Sequence, residues 1–268
     1  GMGGRLDATI LVEADLAILT TISMDHSEYL GQTIGEIASE KVAIHRHGSP
    51  LIAIKPQDMD VQRIISEKAG EDLVWVTLEK EQTKWDAYSA ITSIVADNLG
   101  WPVTEHECVW PGRSPNFGAS WIEGIDLKFS AAHNPESIEN DIEETEEVEV
   151  ILFAMIEKKE IQDSIKSLAD AIRVKKTKPK LIFTEVKNGR KPSVRADLLR
   201  EMIHSHYPDL MSSRCIVDSH EAFWEGVMTA RHGHGNLLVI GSIYLIGEIM
   251  SEIISSRGLD AIDTMTIH

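Results

Sequence analysis

Apolar residues in the first part of the chain fall into short continuous runs separated by a segment with helical spacing. The runs at Leu16–Ile22 and Ser49–Ile54 are rich in β-branched residues, which predicts buried parallel strands. Between them, Thr33–Ala43 carries apolar residues at helical spacing, and Thr33 with Glu36 three positions on forms a capping box. A strand, a helix and a second strand in this order predict a βαβ unit.

A second helix is predicted over Asp86–Leu99, ended by Gly100 and Pro102. The Trp110–Arg113 segment then interrupts regular structure and predicts a domain boundary, with one domain at 1–110 and another at 111–268. Further predicted strands are Ile125–Phe129, Glu149–Met155, Lys180–Thr184, Arg214–Val217 and Asn236–Ile240. Further predicted helices are Glu160–Val174, Val194–His206, His220–Ala230 and Tyr244–Ser256. This alternation predicts an α/β fold with a mostly parallel sheet covered on both faces.

Composition and charge narrow the possible partners. The 268 residues carry a formal net charge of −17, which would repel a nucleic-acid backbone or an anionic membrane. The longest apolar stretch, Leu237–Ile246, is interrupted by Gly241 and Ser242 and is too short to span a bilayer. The two cysteines, Cys108 and Cys215, have no metal-ligand spacing. We therefore expect a reduced, cytoplasmic protein that binds neither nucleic acid nor membrane.

Five segments occur in an order that points to one protein family. They are Gly3–Thr9 (GGRLDAT), Met24–Gly31 (MDHSEYLG), Pro111–Arg113 (PGR), Ser130–Pro135 (SAAHNP) and Gly241–Glu248 (GSIYLIGE). The chain resembles the folylpolyglutamate synthase/dihydrofolate synthase family of the Mur-ligase type, with Ile10 where the family has asparagine. The resemblance implies a Mur-ligase-type central ATPase domain followed by a Rossmann-like, mostly parallel C-terminal domain. It also implies an enzyme that uses ATP and Mg²⁺ to add glutamate to a folate carboxylate through an acyl phosphate.

In the first domain the resemblance implies two site residues. His26 takes the position of the family's Mg²⁺-binding histidine, and Lys41 takes that of a carbamylated lysine that acts as a metal ligand. The residues themselves leave simpler interpretations open. Asp25 and His26 together are also typical of a hydrogen-bonded cap at the end of a strand, and Lys41 is typical of an exposed helix lysine.

In the second domain the resemblance places nucleotide contacts at Arg113, Ser130 and Asn134 and glutamate contacts at His133 and Ser242. Ser130 stands where the family has aspartate, so it supplies a hydroxyl but no negative charge. Asn134 before a proline also fits a helix N-cap. Because both turns follow parallel strands, we expect the two glutamate contacts to share one sheet edge and face a common cleft.

Two clusters of polar residues could bind a cation, one through its density of carboxylates and the other through the metal-like spacing of two histidines. Glu136–Glu149 is dense in carboxylates, and His232 and His234 flank a glycine. We interpret the acidic segment as a solvated helix face or loop, and the histidine pair as part of a solvent loop.

Neither a GxxxxGK[ST] phosphate loop nor the family's own version occurs in these residues, and the chain starts at GGRLDAT. We therefore expect a truncated form that does not turn over ATP by itself, because phosphoryl transfer depends on that positioning. The alternatives are a non-catalytic binding or assembly module, or a Mur-type ligase with another acceptor. An incomplete first domain would expose a sheet edge, which predicts a homo-oligomer through residues 1–110. These residues do not distinguish a dihydrofolate synthase from a folylpolyglutamate synthase.

Overall fold

A computed structural model describes residues 3–5, 7–24, 27–56, 58–79, 84–103, 117–119, 121–158, 161–210, 213–233 and 235–258. The chain forms two compact units, Gly1–His106 and Glu107–His268. The predicted boundary at Trp110–Arg113 lies outside the described residues. None of the helices in the described ranges is both long and apolar enough to cross a membrane.

The first unit contains a parallel sheet of three strands in the order β1-β2-β3. The strands are β1 (Ala17–Leu19), β2 (Leu51–Ile54) and β3 (Leu73–Val76), and the helices are α1 (Ser27–Leu30), α2 (Ile34–Val42), α3 (Met59–Ala69) and α4 (Lys84–Leu99). The predicted βαβ unit is confirmed, and so is the capping box. The N–H of Glu36 lies 3.2 Å from Thr33 Oγ1, and the N–H of Thr33 lies 3.1 Å from Glu36 Oε2.

Helix α3 and strand β3 were not predicted, although both carry a hydrophobic pattern. In α3 the buried Val61, Ile65 and Ala69 are joined by the partly buried Ile64, which gives the i, i+3, i+4 spacing of an amphipathic helix. Strand β3 is a continuous apolar run, Leu-Val-Trp-Val, of the same length as β2.

The second unit contains a five-stranded sheet in the order β4-β8-β5-β6-β7, with every pair parallel. Its strands are β4 (Asp126–Phe129), β5 (Val148–Phe153), β6 (Lys180–Phe183), β7 (Ser213–Cys215) and β8 (Asn236–Ile240). Its helices are α5 (Pro135–Glu144), α6 (Ile161–Val174), α7 (Ala196–His206), α8 (Ser219–Gly233) and α9 (Ile243–Arg257). In β5, Val150 and Leu152 enter one core cluster while Ile151 and Phe153 enter another. The sheet is therefore buried on both faces, as the continuous apolar runs predict.

The structure confirms one interpretation of the polar clusters and corrects the other. The acidic segment lies in α5 as far as Glu144, where Ile138 and Ile142 are fully buried and the carboxylates lie on the other faces of the helix. His232 lies in the last turn of α8 rather than in a loop, because the helix continues to Gly233. His234 lies outside the described residues.

Candidate functional site

In the first unit, the GGRLDAT segment packs against the C-terminal end of α2. A Cβ atom on Gly4 would lie 2.5 Å from both the carbonyl oxygen of Lys41 and the backbone nitrogen of Ile44, so only glycine allows this approach. Beside it, Arg5 Nε donates to Glu40 Oε1 at 3.1 Å. Gly4 and Arg5 therefore lie directly on the last turn of α2, which carries Lys41.

Asp7 fixes the continuation of this segment. Its carboxylate accepts from the N–H of Thr9 at 2.9 Å and from the Thr9 hydroxyl at 2.8 Å. The backbone hydrogen bond, followed by the hydroxyl, lowers the pKa of Asp7 to about 2. Lys41 is half-buried in the last turn of α2. In the described ranges, no three histidine, cysteine, aspartate or glutamate side chains come together to hold a metal ion, and His26 lies outside those ranges.

In the second unit, the turns after β4 and β8 are joined directly at the carboxyl edge of the sheet. The N–H of Ser130 donates to the carbonyl of Val239 at 2.9 Å, and the N–H of Gly241 donates to the carbonyl of Ala132 at 3.1 Å. These bonds continue the β4-β8 ladder past the ends of both strands. The carboxyl edge of a parallel sheet is where ligands commonly bind.

Ser130 is buried and has a carboxylate beside it. Its hydroxyl donates to Asp141 Oδ2 at 2.6 Å and accepts from the N–H of Ala132 at 3.1 Å. The sequence comparison with the family left this position without a negative charge. The structure shows that α5 brings a carboxylate to the same place from eleven residues further along the chain.

His133 and Asn134 lead into α5. His133 is exposed, and its Nδ1 lies 2.9 Å from the carbonyl oxygen of Ala131. Because a carbonyl can only accept, this contact places the proton on Nδ1 and leaves Nε2 of the neutral ring able to accept from a ligand. Asn134 is the N-cap of α5, where its side chain accepts from the N–H of Ser137 at 2.9 Å and Pro135 follows. The predicted helix cap is confirmed.

Gly241 and Ser242 form the corresponding turn into α9. Ser242 is buried and is the N-cap of α9, accepting from the N–H of Tyr244 at 3.2 Å. Gly241 has φ +105°, and a Cβ there would lie 2.4 Å from the carbonyl oxygen of Ala154. Helices α5 and α9 therefore begin at the ends of neighbouring strands. Helix N-termini carry partial positive charge, so this edge favours an anion.

Glu248 was not singled out by the sequence analysis, although it ends the GSIYLIGE segment. Its carboxylate is buried and accepts from the N–H of Lys187 at 2.7 Å and the N–H of Asn188 at 3.0 Å. Its other oxygen accepts from the Ser219 hydroxyl at 2.6 Å. One side chain of α9 thus joins the loop after β6 to the start of α8 at the carboxyl edge.

The structure brings four of the predicted site residues to this edge: Ser130, His133, Asn134 and Ser242. Lys41 lies in the other unit, and His26 and Arg113 lie outside the described residues. Residues that only the structure reveals are Asp141, which contacts Ser130, and Glu248 with its three donors.

Asp218, close to Glu248, supports a pH prediction. Its carboxylate lies 2.6 Å from Lys187 Nζ and also accepts from the N–H groups of His220 and Glu221, each at 3.0 Å. The hydrogen bond from Lys187, followed by that from Glu221, lowers the pKa of Asp218 from 3.8 to about 2. A carboxyl group whose pKa is lower in the folded than in the unfolded protein stabilises the fold. This stabilisation is complete above the pKa of the unfolded state and is lost as the pH falls through the pKa of the folded state.

We therefore expect Asp218→Asn to lower the free energy of unfolding at neutral pH. The difference from the unsubstituted protein should shrink below about pH 4 and largely vanish near pH 2. Urea unfolding at a series of pH values measures it. Glu201→Gln, an exposed carboxylate on α7, is the control and should show no such trend. A difference for Asp218→Asn that stays constant down to low pH would contradict the prediction.

No family model matches the chain, but known proteins are similar to it in sequence. The dihydrofolate synthase/folylpolyglutamate synthase of Haemophilus influenzae is 37% identical over 90 residues, which cover 32% of this chain and 20% of that protein. The folylpolyglutamate synthase of Arabidopsis thaliana is 31% identical over 126 residues, covering 47% of this chain and 20% of that protein. Over these residues the chain is similar to enzymes of the folylpolyglutamate synthase/dihydrofolate synthase family.

Solved structures of the folylpolyglutamate synthase/dihydrofolate synthase family share the fold. The Escherichia coli FolC in complex with DHPP and ADP has a TM-score of 0.74 and 22% identity, over 96% of this chain and 66% of that chain. The Yersinia pestis bifunctional enzyme complexed with AMPPNP and Mn ion has a TM-score of 0.73 and 21% identity, over 97% of this chain and 65% of that chain. This chain thus has the α/β Mur-ligase-type fold, and it spans just under two thirds of the length of these neighbours.

Proposed function

We propose that the carboxyl edge of the second sheet binds glutamate, as part of an ATP-dependent ligase that adds glutamate to a folate carboxylate. One observation carries this proposal. Helices α5 and α9 begin side by side at the ends of β4 and β8, with His133 exposed between the sheet and α5. The sequence likeness to folylpolyglutamate and dihydrofolate synthases supplies the substrate class.

The chemistry of this edge suits an amino acid with an anionic carboxylate. The N-terminal N–H groups of two helices favour a carboxylate, each by about 0.3–1 kcal/mol. Nε2 of His133 can accept a hydrogen bond from the ammonium group of the ligand. A serine hydroxyl that accepts from one N–H, as Ser242 does from Tyr244, can still donate its own proton.

In the proposed reaction, ATP phosphorylates a folate carboxylate, giving an acyl phosphate and ADP. The amine of glutamate then attacks the acyl carbon, phosphate leaves, and an amide remains after loss of a proton. The role of this edge is to hold the amine in position for that attack. We also propose nucleotide contacts at Arg113, Ser130 and Asn134. The expected Mg²⁺ has no ligand set among the described residues, so no step here depends on it.

Isothermal titration with L-glutamate tests the proposal. We expect weak binding by the 268-residue chain and a loss of about tenfold in affinity in His133→Ala, the effect of losing one charge-assisted hydrogen bond. His232→Ala is a matched control, since His232 is also exposed and its Nδ1 also contacts a backbone carbonyl, that of Met228 at 2.7 Å. If the chain does not bind glutamate, or if both substitutions act equally, the proposal is wrong.

A second candidate function is a binding module without turnover. The observation that favours it is that these 268 residues contain no phosphate-loop motif. On this basis we expect glutamate binding with ADP release at background. ADP release that depends on both folate and glutamate, in a preparation free of host enzyme, would favour the catalytic function instead.

We further propose that the protein assembles as a homo-oligomer and is cytoplasmic. On one face of the first sheet, Ile18 and Val74 flank the buried Ile52, and both are more than one third exposed. Exposed apolar residues on a sheet face can pair with another chain. Light scattering that shows a monomer at high concentration would contradict assembly. The half-buried Cys215, whose thiol pKa is raised by burial, suits a reducing compartment.

A further inference from the structure

A basic loop lies at the carboxyl edge of the second sheet, in a chain that is otherwise strongly acidic. We define this basic loop as residues 187–191, with the sequence Lys-Asn-Gly-Arg-Lys. It follows β6, and Lys187, Arg190 and Lys191 are exposed. In a protein of net charge −17, these side chains give an anionic ligand a local attraction.

The basic loop is held in place on both sides. At its start, Glu248 accepts from the N–H groups of Lys187 and Asn188. After it, the chain pairs with the segment that follows β5. There the N–H of Glu157 donates to the carbonyl of Pro192 at 2.9 Å, and Ile156 bridges Ser193 in antiparallel fashion. These contacts fix the backbone of the loop, so its side chains project from a defined position.

This position is beside the turn that begins α9. A Cβ on Gly189 would lie 3.8 Å from Tyr244 Cδ2 and 2.8 Å from Ile156 Cγ2. Tyr244 is two residues after Ser242, which caps α9. The basic loop is therefore next to the edge to which glutamate binding is proposed.

Two of its three charges have no acidic partner in the part of the chain that the structure describes. Lys187 pairs with Asp218 at 2.6 Å. Arg190 and Lys191, by contrast, are exposed and form no ion pair with a described residue. Exposed cations without an ion-pair partner are available to a carboxylate, and a fixed backbone lowers the entropy that the loop loses on binding.

We propose that Arg190 and Lys191 bind the side-chain carboxylate of the amino-acid substrate, and so select a dicarboxylic amino acid. This inference rests on the proposed function, in which glutamate binds at the starts of α5 and α9, and it assigns the α-carboxylate to that edge. The two helix starts follow neighbouring strands and form one positive region, so the second carboxylate of the ligand needs another. An arginine can grip a carboxylate through two parallel hydrogen bonds, which adds direction to the charge.

The test compares L-glutamate with L-glutamine, which has the same shape but no charge on its side chain. Affinities for both are measured by titration of the 268-residue chain and of the double variant Arg190→Gln/Lys191→Gln. Lys176→Gln is the control, because Lys176 is also exposed but lies in the turn before β6, at the opposite edge of the same sheet. We expect the double variant to lose about tenfold or more in glutamate affinity. Glutamine affinity should not change.

The outcomes separate this inference from the proposed function. If the double variant still prefers glutamate as strongly as Lys176→Gln does, the role of the basic loop is wrong while glutamate binding at the sheet edge stands. If both variants lose glutamate equally, the effect is one of net charge, and the inference again fails. If the unsubstituted chain binds neither amino acid, both the inference and the proposed function are overturned. If glutamine binding is too weak to measure, the inference is judged by the loss of glutamate affinity in the double variant relative to Lys176→Gln.

Discussion

Replacing Gly241 with alanine is expected to lower the free energy of unfolding of the second unit by about 3 kcal/mol or more. Two effects add. At φ +105° a residue with a Cβ is strained, and the new Cβ would lie 2.4 Å from the carbonyl oxygen of Ala154, where neither backbone can move without breaking the sheet. Urea unfolding followed by tryptophan fluorescence measures the change. The two hydrogen-bonded turns that follow β4 and β8 should also become less ordered.

Gly247 gives the matched control for this prediction. It lies six residues later, inside α9, and a Cβ there would meet nothing within 4 Å. Gly247→Ala should therefore stabilise the protein by about 0.5–1 kcal/mol, since alanine costs less backbone entropy in a helix. Equal stability for the two alanine variants would show that the Gly241 turn is not constrained as described.

Replacing Glu248 with alanine is expected to cost about 2–4 kcal/mol. The substitution leaves the N–H groups of Lys187 and Asn188 and the hydroxyl of Ser219 without their acceptor. Glu248→Gln should be much milder. Its oxygen can still accept from the two N–H groups, and its amide can donate to the Ser219 hydroxyl, which is able to reverse its role.

Glu252→Ala is the control, because it removes another hydrogen-bonded glutamate one turn further along α9. It accepts from Trp224 Nε1 at 2.9 Å and pairs with His220 at 3.0 Å, but it is less buried than Glu248. We expect Glu252→Ala to cost about 1 kcal/mol. Equal losses for the alanine and glutamine variants of Glu248 in chemical denaturation would argue against the hydrogen-bonding explanation.

Glu248 also connects stability with the proposed binding site. It fixes the basic loop 187–191, so its loss should release Arg190 and Lys191 from their defined position. Under the proposed function, Glu248→Ala should weaken glutamate binding even where the protein remains folded. The glutamine variant should restore most of that affinity together with the stability.

The local pattern of the sequence determined the type of most elements in the second unit. Continuous apolar runs such as Glu149–Met155 and Asn236–Ile240 predict buried strands, and the structure has strands there. Helix caps at Thr33 and Asn134 were also visible, because a cap is formed by residues three positions apart. The resemblance to the folylpolyglutamate synthase/dihydrofolate synthase family rests on motifs that are contiguous in the chain. All of these features depend on neighbours in sequence.

Only the tertiary structure decided which distant residues meet. The pairing of β4 with β8 brings Ser130 beside Val239, and no local pattern encodes the order of strands in a sheet. The packing of α5 places Asp141 against Ser130, and that of α9 places Glu248 under the basic loop. A carboxylate in an acidic segment has the same sequence signal whether it faces solvent or a buried hydroxyl. Its role is fixed by the long-range packing that determines its surroundings.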